Sequence, residues 1–107
     1  MAAYIYLIKP TRPEMLETGL NEHETKAFRA HSAYLDDLTS RGVLILAGRT
    51  LSPEDSMGIG IFYAASEQEA QAIVDADPFV SRGVVTPTLM PFSLAAGTAL
   101  SASKSAQ

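Results

Sequence analysis

The chain has 107 residues, 47% of them hydrophobic and 19% charged, and its formal net charge is −4. These values fit one soluble globular domain, and the acidic balance argues against nucleic-acid binding, which needs a basic stripe. The sequence contains no cysteine, which excludes disulfides, thiol nucleophiles and cysteine-based metal sites. No run approaches the roughly 20 apolar residues that span a membrane. The first residues also lack the basic segment of a signal peptide, so we expect a cytoplasmic protein.

The first half of the chain predicts a strand, a loop and a long helix. Residues 3–9 are apolar and aromatic, as in a β-strand, whereas residues 10–23 hold two prolines and a glycine and predict mostly loop. A helical pattern follows over residues 22–41 and stops at Gly42. Its spacing alternates between three and four residues and predicts one face directed at the sheet: Phe28, His31, Leu35 and Leu38.

The middle of the chain predicts two strands and a second helix. Residues 43–51 and 56–64 have the composition of strands and are separated by a short turn cluster. Residues 66–76 predict the helix, which a proline ends two residues later. Ser66 and Glu69 have the spacing of a capping box, in which each side chain accepts a free backbone N–H of the other residue.

The last part of the chain predicts a fourth strand and a tail. Residues 83–94 read as a strand, and the prolines at positions 87 and 91 favour a place at the sheet edge. Residues 95–107 are small and polar and predict a disordered tail, because they offer little to bury. We therefore expect the folded domain to span residues 1–94.

The predicted order of elements is β-α-β-β-α-β. This order is typical of the ferredoxin-like arrangement in the α+β class, which has a four-stranded antiparallel sheet. Both helices should lie on one face of the sheet, and the other face should then be uncovered.

The uncovered face should nevertheless be apolar. The first strand directs Tyr4, Tyr6 and Ile8 to one side and Ile5 and Leu7 to the other. Large exposed apolar patches mark interaction sites, and the simplest partner is a second copy in a two-fold dimer. The alternative is that the long loop after the first strand, or the tail, folds over this face.

His31 and Asp77 are a candidate pair for acid–base chemistry. In this fold we expect the two helices to pack side by side and to run in the same direction, and if they start level, both residues lie about 15 Å along them. Packed helices are about 8–10 Å apart, so the two side chains could meet in the groove between them. An acid at a helix C-terminus is unfavourable, and a nearby imidazolium would compensate it.

Simpler interpretations exist for both members of this pair. A lone histidine facing a core is most often a structural residue, and Asp77 precedes a proline in "DADPF", where aspartate commonly occupies a turn. Asp75 is a competing partner, but helical spacing directs it elsewhere.

Other residues could shape a pocket. Arg49 follows the second strand and could hold an anionic ligand group, or it could be an ordinary surface charge. Gly58 and Gly60 share one strand face and would permit close approach of a side chain or ligand. Aromatic residues that could line an apolar pocket between helices and sheet are Tyr4, Tyr6 and Phe79. The chain has two histidines and no metal-ligand spacing, so we expect no metal site.

Several segments together resemble the YciI-like, or YCII-related domain, family. They are the helix segment His31–Leu35, the strand segment Gly42–Gly48, the turn Asp77–Phe79, and the following Gly83-Val84. The resemblance covers about residues 3–94. It implies the dimeric α+β barrel group, in which ferredoxin-like subunits pair through their sheets. It also implies a His–Asp active site, which falls on His31 and Asp77.

One position departs from the family pattern. Many members have Ala-Gly-Pro where this chain has Ala47-Gly48-Arg49. Arg49 would change the mouth of any pocket, so the substrates of relatives do not transfer directly.

The sequence favours a small cofactor-independent enzyme. His31 would be the general acid or base, oriented by Asp77, acting on a small aromatic or carbonyl compound by a lyase-, dehalogenase- or isomerase-like proton transfer. Arg49, Tyr6 and Phe79 are the predicted substrate contacts. The alternative is a non-catalytic module that binds a small ligand or a protein. Haem ligation by His31 and RNA binding by the sheet aromatics are weaker alternatives.

Overall fold

The structure, a computed structural model, describes residues 1–98. Most of the predicted tail, residues 99–107, lies outside this range. The elements in chain order are β1 (Ala2–Pro10), α1 (Met15–Thr18), α2 (Glu22–Ser40), β2 (Leu44–Arg49), a 3-10 turn (Pro53–Asp55), β3 (Gly58–Ala64), α3 (Glu67–Asp75), α4 (Pro78–Ser81) and β4 (Val85–Phe92).

The four strands form one sheet in the order β2-β3-β1-β4, and every neighbouring pair is antiparallel. This confirms the predicted α+β, ferredoxin-like arrangement. β4 lies at an edge, as its prolines predict. Pro87 pairs with Ile8 and Pro91 pairs with Tyr4, and neither proline has the N–H that a further strand would need.

Two short helices were not predicted. α1 is a single turn inside the expected loop, and only its Met15 is buried. α4 begins at Pro78, which was predicted only to end the preceding helix. Proline at the first position of a helix loses no hydrogen bond, because that N–H has no intrahelical acceptor.

The Ser66 capping box forms in part. The Ser66 hydroxyl accepts the Glu69 N–H at 3.1 Å, as predicted. The Glu69 carboxylate accepts instead from Ala65 N, at 3.2 Å, one residue before the expected donor. The helix is therefore capped at its start by both side chains, in a slightly different geometry.

The core lies between the sheet and the helices. Alternate residues of β1 and β3 point into it, and Phe62 packs there between Tyr4 and Tyr6, with ring centroids 6.1 and 5.8 Å away. Tyr4 is buried in this aromatic cluster and does not line the pocket described below, contrary to the prediction. Its position two residues before Tyr6 places it nearer the other end of the sheet.

The buried face of α2 is rotated from the predicted one. The buried residues are Glu24, Ala27, His31 and Leu38. Phe28 is 47% exposed, and Leu35 is half-buried. Both line an open cleft between α2 and the sheet, so they are apolar without being enclosed. A periodic pattern cannot distinguish a cleft wall from a packed core.

The start of α2 is held by an ion pair and a capping box. The Glu24 carboxylate accepts from Asn21 N at 2.9 Å and from Arg12 Nε and Nη2 at 2.9 and 2.7 Å. Arg12 Nη2 also donates to the Gly19 carbonyl at 3.1 Å. These hydrogen bonds join the start of the loop between β1 and α2 to its end. The Arg12 hydrogen bonds, and then the Asn21 N–H, lower the pKa of Glu24 to about 2.

The sheet face opposite the helices is apolar, as predicted. Its exposed apolar side chains include Leu46, Met90 and Phe92, and Leu46 is 60% exposed. Residues 93–98 border a cavity of about 450 Å³ on this side, together with Ile45 and Ile61. The end of the described chain therefore lies against part of the face. No helix within residues 1–98 is long and apolar enough to cross a membrane.

Candidate active site

Asp77 lies where α3 ends and α4 begins. Its backbone is extended, with φ −65° and ψ 122°, and its carboxylate Oδ1 accepts the Phe79 N–H at 2.9 Å. The side chain is completely buried. Asp77 thus has the turn role of the simpler interpretation, and it also faces the favourable N-terminal end of α4.

His31 and Asp77 are in direct contact. His31 Nδ1 lies 2.8 Å from Asp77 Oδ1 and 2.9 Å from Oδ2. The Tyr6 hydroxyl donates to Asp77 Oδ2 at 2.9 Å. The contact was predicted, whereas the Tyr6 donor was not. Three groups from β1, α2 and α4 therefore surround one carboxylate, which satisfies a charge that would otherwise be costly to bury.

The reason given in the sequence analysis for this contact was wrong. β1 and β2 run in one direction, and β3 and β4 run in the other. α2 connects β1 to β2 and runs opposite to them, whereas α3 connects β3 to β4 and runs opposite to those strands. The two helices are therefore antiparallel to each other. His31 lies nine residues before the end of α2, and Asp77 lies ten residues after the start of α3. Measured from this shared end of the sheet, both positions are about 14–15 Å along, which is why they meet.

The hydrogen bonds determine which nitrogen of His31 is available. A carboxylate only accepts, so Nδ1 carries the proton of a neutral ring and Nε2 keeps its lone pair. Nε2 makes no hydrogen bond within residues 1–98, and every buried polar side-chain atom in that range has a partner. Nε2 is therefore open to the cleft, although the His31 side chain is only 11% exposed.

Tyr6 and Phe79 complete the surroundings of this pair. Burial, and then the negative charge of Asp77, raise the pKa of the Tyr6 hydroxyl, which stays protonated as a donor. The Phe79 ring stacks on the imidazole, with centroids 4.4 Å apart and planes at 15°. One face of the imidazole is therefore covered, and the ring is held by contacts on its edge and on its face.

The cleft in front of His31 has a volume of about 650 Å³. Its apolar lining comes from Ile8, Pro10, Met15, Leu16, Leu20, Phe28, Leu35, Ala47, Met57, Ile59, Phe79 and Val85. Its polar side chains are Tyr6, His31, Ser32, Arg49 and Ser56. The structure thus brings Arg49, Tyr6 and Phe79 to one cleft with His31, and their contacts with a substrate remain predictions. This mostly apolar lining with a few convergent polar groups is typical of small-molecule sites.

The two glycines of β3 make room for the side chains of β1. Gly60 pairs with Tyr6, and a Cβ at Gly60 would lie 2.9 Å from Tyr6 Cδ1. Gly58 pairs with Ile8, and a Cβ there would lie 2.7 Å from Ile8 Cγ1. The predicted close approach is confirmed: a larger residue at position 60 would move the Tyr6 ring and with it a donor to Asp77.

The part of the cleft formed by the loop after β1 was not predicted from the sequence. Met15, Leu16 and Leu20 line it, and their apolar character in a loop was the available signal. Asp75 is exposed and accepts from Gln71, so it does not compete for His31. Within the described residues, no group of three histidine or acidic side chains could hold a metal ion.

Comparisons with known proteins agree with this fold. The 5-chloro-2-hydroxyhydroquinone dehydrochlorinase TftG of Burkholderia phenoliruptrix, solved with 2,5-dihydroxybenzoquinone, is 22% identical with a TM-score of 0.62. The match covers 86% of this chain and 95% of TftG. The uncharacterized protein TM1266 of Thermotoga maritima is 11% identical with a TM-score of 0.52, covering 85% and 95%. At these identities the likeness supports the fold alone.

A weaker likeness and the family match complete the comparison. SnoaB, a cofactor-independent oxygenase of Streptomyces nogalater, is 8% identical with a TM-score of 0.45, over 91% of this chain and 95% of SnoaB. No curated protein sequence matches the chain significantly. The YCII-related domain matches residues 3–92, which include both members of the His31–Asp77 pair. The chain therefore belongs to the YCII-related domain family.

Proposed function

We propose that this protein is a small enzyme that uses His31 as a general base and acid on an aromatic compound bound in the cleft. One observation carries the proposal: a fully buried Asp77 holds His31 Nδ1 while Nε2 opens into an apolar cleft. A histidine oriented in this way has its basic nitrogen directed at a ligand and its proton held by the protein. A histidine used only for packing needs no such opening.

The reaction that we propose is an elimination. In the non-aromatic keto form of a halogenated phenol, the leaving group is attached to a tetrahedral ring carbon. Nε2 takes a proton from a ring hydroxyl, this oxygen becomes a carbonyl, and the ring electrons shift to form a double bond at the tetrahedral carbon while the leaving group departs with its bonding electrons. The imidazolium formed in this step is stabilised by the Asp77 carboxylate. Proton transfer and departure of an anion balance the reaction without an oxidant. TftG is named as a dehydrochlorinase, and loss of hydrogen chloride belongs to the same class.

The walls of the cleft support a planar substrate. Phe28 and Phe79 lie 5.8 Å apart and both contribute to the lining near His31. Aromatic rings favour offset-stacked or edge-to-face partners, so a flat ring fits against them better than a bulky aliphatic group. A substituted phenol or quinone is therefore the substrate class that we propose.

Turnover on a panel of halogenated hydroquinones and small lactones tests the proposal. His31→Gln should lower turnover by roughly 10²–10⁴-fold, the usual contribution of a general base. His23→Gln is the matched control, because His23 is exposed and its ring hydrogen-bonds to the Arg82 carbonyl, at 3.0 Å, outside the cleft. Unfolding curves of both variants would show that the fold is kept. Activity that survives in folded His31→Gln would reject the base assignment. Tight ligand binding without turnover in the parent would favour the binding-module alternative.

We also propose that two copies pair through the open sheet face. The exposed apolar residues of that face would be buried in such a dimer, which explains why both sides of the sheet are apolar. Leu46→Glu should shift the protein to monomers in sedimentation velocity. Leu51→Glu is the control, because Leu51 is 80% exposed but follows β2. A monomeric parent would contradict the proposal and favour coverage by the end of the chain.

A further inference from the structure

The charge lining the cleft differs from the charge of the whole protein. The chain carries a net charge of −4, yet none of the cleft-lining side chains within residues 1–98 is a carboxylate. The one lining side chain with a permanent charge is Arg49. An acidic protein with a carboxylate-free, cationic cleft is suited to an anionic ligand.

Arg49 is available for such a ligand. It is the last residue of β2, is exposed at the rim of the cleft, and forms no ion pair with a described residue. Two of the other arginines differ in this respect: Arg12 is bound to Glu24, and Arg41 is bound to Asp37 at 3.0 Å. The Arg49 guanidinium therefore has no carboxylate of residues 1–98 to displace when a ligand arrives.

The sheet register gives the separation between Arg49 and Tyr6, whose hydroxyl contacts Asp77. Tyr6, which contacts Asp77, pairs with Gly60, whereas Arg49 pairs with Gly58, two residues along and one strand further. The Cα atoms of Arg49 and Tyr6 are thus about 7 Å apart along the strands and about 10 Å apart across them. The long Arg49 side chain and one substituted ring together fill this span.

We propose that the natural ligand of the cleft is an aromatic carboxylic acid. Its carboxylate binds the Arg49 guanidinium at the rim, and the opposite side of its ring meets His31 Nε2. A single guanidinium presents two parallel N–H donors, which match a planar carboxylate, whereas a phosphate group carries more charge than one arginine balances. The contact of this ligand with His31 depends on the proposed function. The contact of its carboxylate depends on Arg49 alone.

Calorimetric titration with 4-hydroxybenzoate and its neutral isostere 4-hydroxybenzamide tests the inference. The parent should bind the acid about tenfold more tightly than the amide, a modest ratio because Arg49 is exposed. Arg49→Gln should remove this preference. Arg29→Gln is the matched control, since it removes the same charge from an exposed position on α2 outside the cleft, and it should keep the preference.

The outcomes separate this inference from the proposed function. Equal binding of acid and amide by the parent would overturn the inference, and so would an equal loss in Arg49→Gln and Arg29→Gln, which would indicate net charge alone. His31→Gln should keep the ratio between acid and amide while turnover is lost. If turnover survives in His31→Gln but the preference still depends on Arg49, the catalytic proposal fails and the ligand class stands.

Discussion

Glu24 and Asp77 are both buried carboxylates near a helix start, and their partners differ. Glu24 accepts from a permanent cation, Arg12, and from a backbone N–H. Asp77 accepts from a phenol, a backbone N–H and a histidine that can change its charge. Both arrangements compensate for the free-energy cost of removing a carboxylate from water. Only the second leaves a partner with a free basic atom directed at a cleft, so only the second is suited to chemistry.

The largest expected effect comes from removing the Asp77 carboxylate. Asp77→Ala leaves the Tyr6 hydroxyl and His31 Nδ1 without their acceptor and removes the α4 cap. We expect a loss of roughly 3 kcal/mol in the free energy of unfolding, measured in urea, together with loss of turnover. Asp77→Asn should keep more of the stability while still losing turnover, because an amide can hold the other tautomer. Full activity in Asp77→Asn would contradict an orienting role.

A smaller effect is expected from a substitution on β3 that displaces the Tyr6 ring. Gly60→Ala places a methyl group against the Tyr6 ring and should cost about 1–3 kcal/mol of unfolding free energy. Gly48→Ala is the control on the neighbouring strand, where a Cβ would meet nothing within 4 Å. Similar losses in both variants would indicate a general effect of alanine in the sheet, with no special role for Tyr6.

Removing only the Tyr6 hydroxyl should have a still smaller effect. Tyr6→Phe leaves Asp77 with His31 and the Phe79 N–H, so we expect a loss of about 1 kcal/mol in unfolding free energy and a partial loss of turnover. Tyr34→Phe is a comparison on the same core side, since its hydroxyl donates to the Ile73 carbonyl at 2.6 Å and not to the Asp77 carboxylate. Equal turnover in both variants would show that the Tyr6 donor is structural only.

The smallest effect is expected at Glu24, and it should depend on pH. The pKa of Glu24 is lowered to about 2 from an ordinary 4.5. Its stabilisation is therefore fully present above about pH 4.5 and is lost as the pH falls towards 2. Glu24→Gln should be less stable than the parent at pH 7, and the two unfolding curves should converge in acid. Glu17→Gln, at an exposed position in α1, should show no such convergence.

The His31–Asp77 contact could be predicted from sequence, but its geometry could not. The prediction compared the positions of the two residues along two helices, and it gave the correct contact although it assumed the wrong relative direction of the helices. α4 was missed because Pro78 both ends one helix and begins the next. The Asn21–Glu24 capping box was not predicted, and neither was the contact of Arg12 with Glu24. Such long-range partners depend on how the loop folds back, which no local pattern encodes.

The loop after β1 has a separate consequence for how this family can diversify. Residues 11–21 supply Met15, Leu16 and Leu20 to the cleft, whereas His31 and Asp77 come from α2 and the α3–α4 junction. The clamp between Arg12 and Glu24 holds this loop near its two ends. Changes between those ends would alter the size and shape of the ligand that the cleft accepts and leave the His31–Asp77 pair in place. New binding specificities could therefore arise by mutation in one short segment without any change to the His31–Asp77 contact.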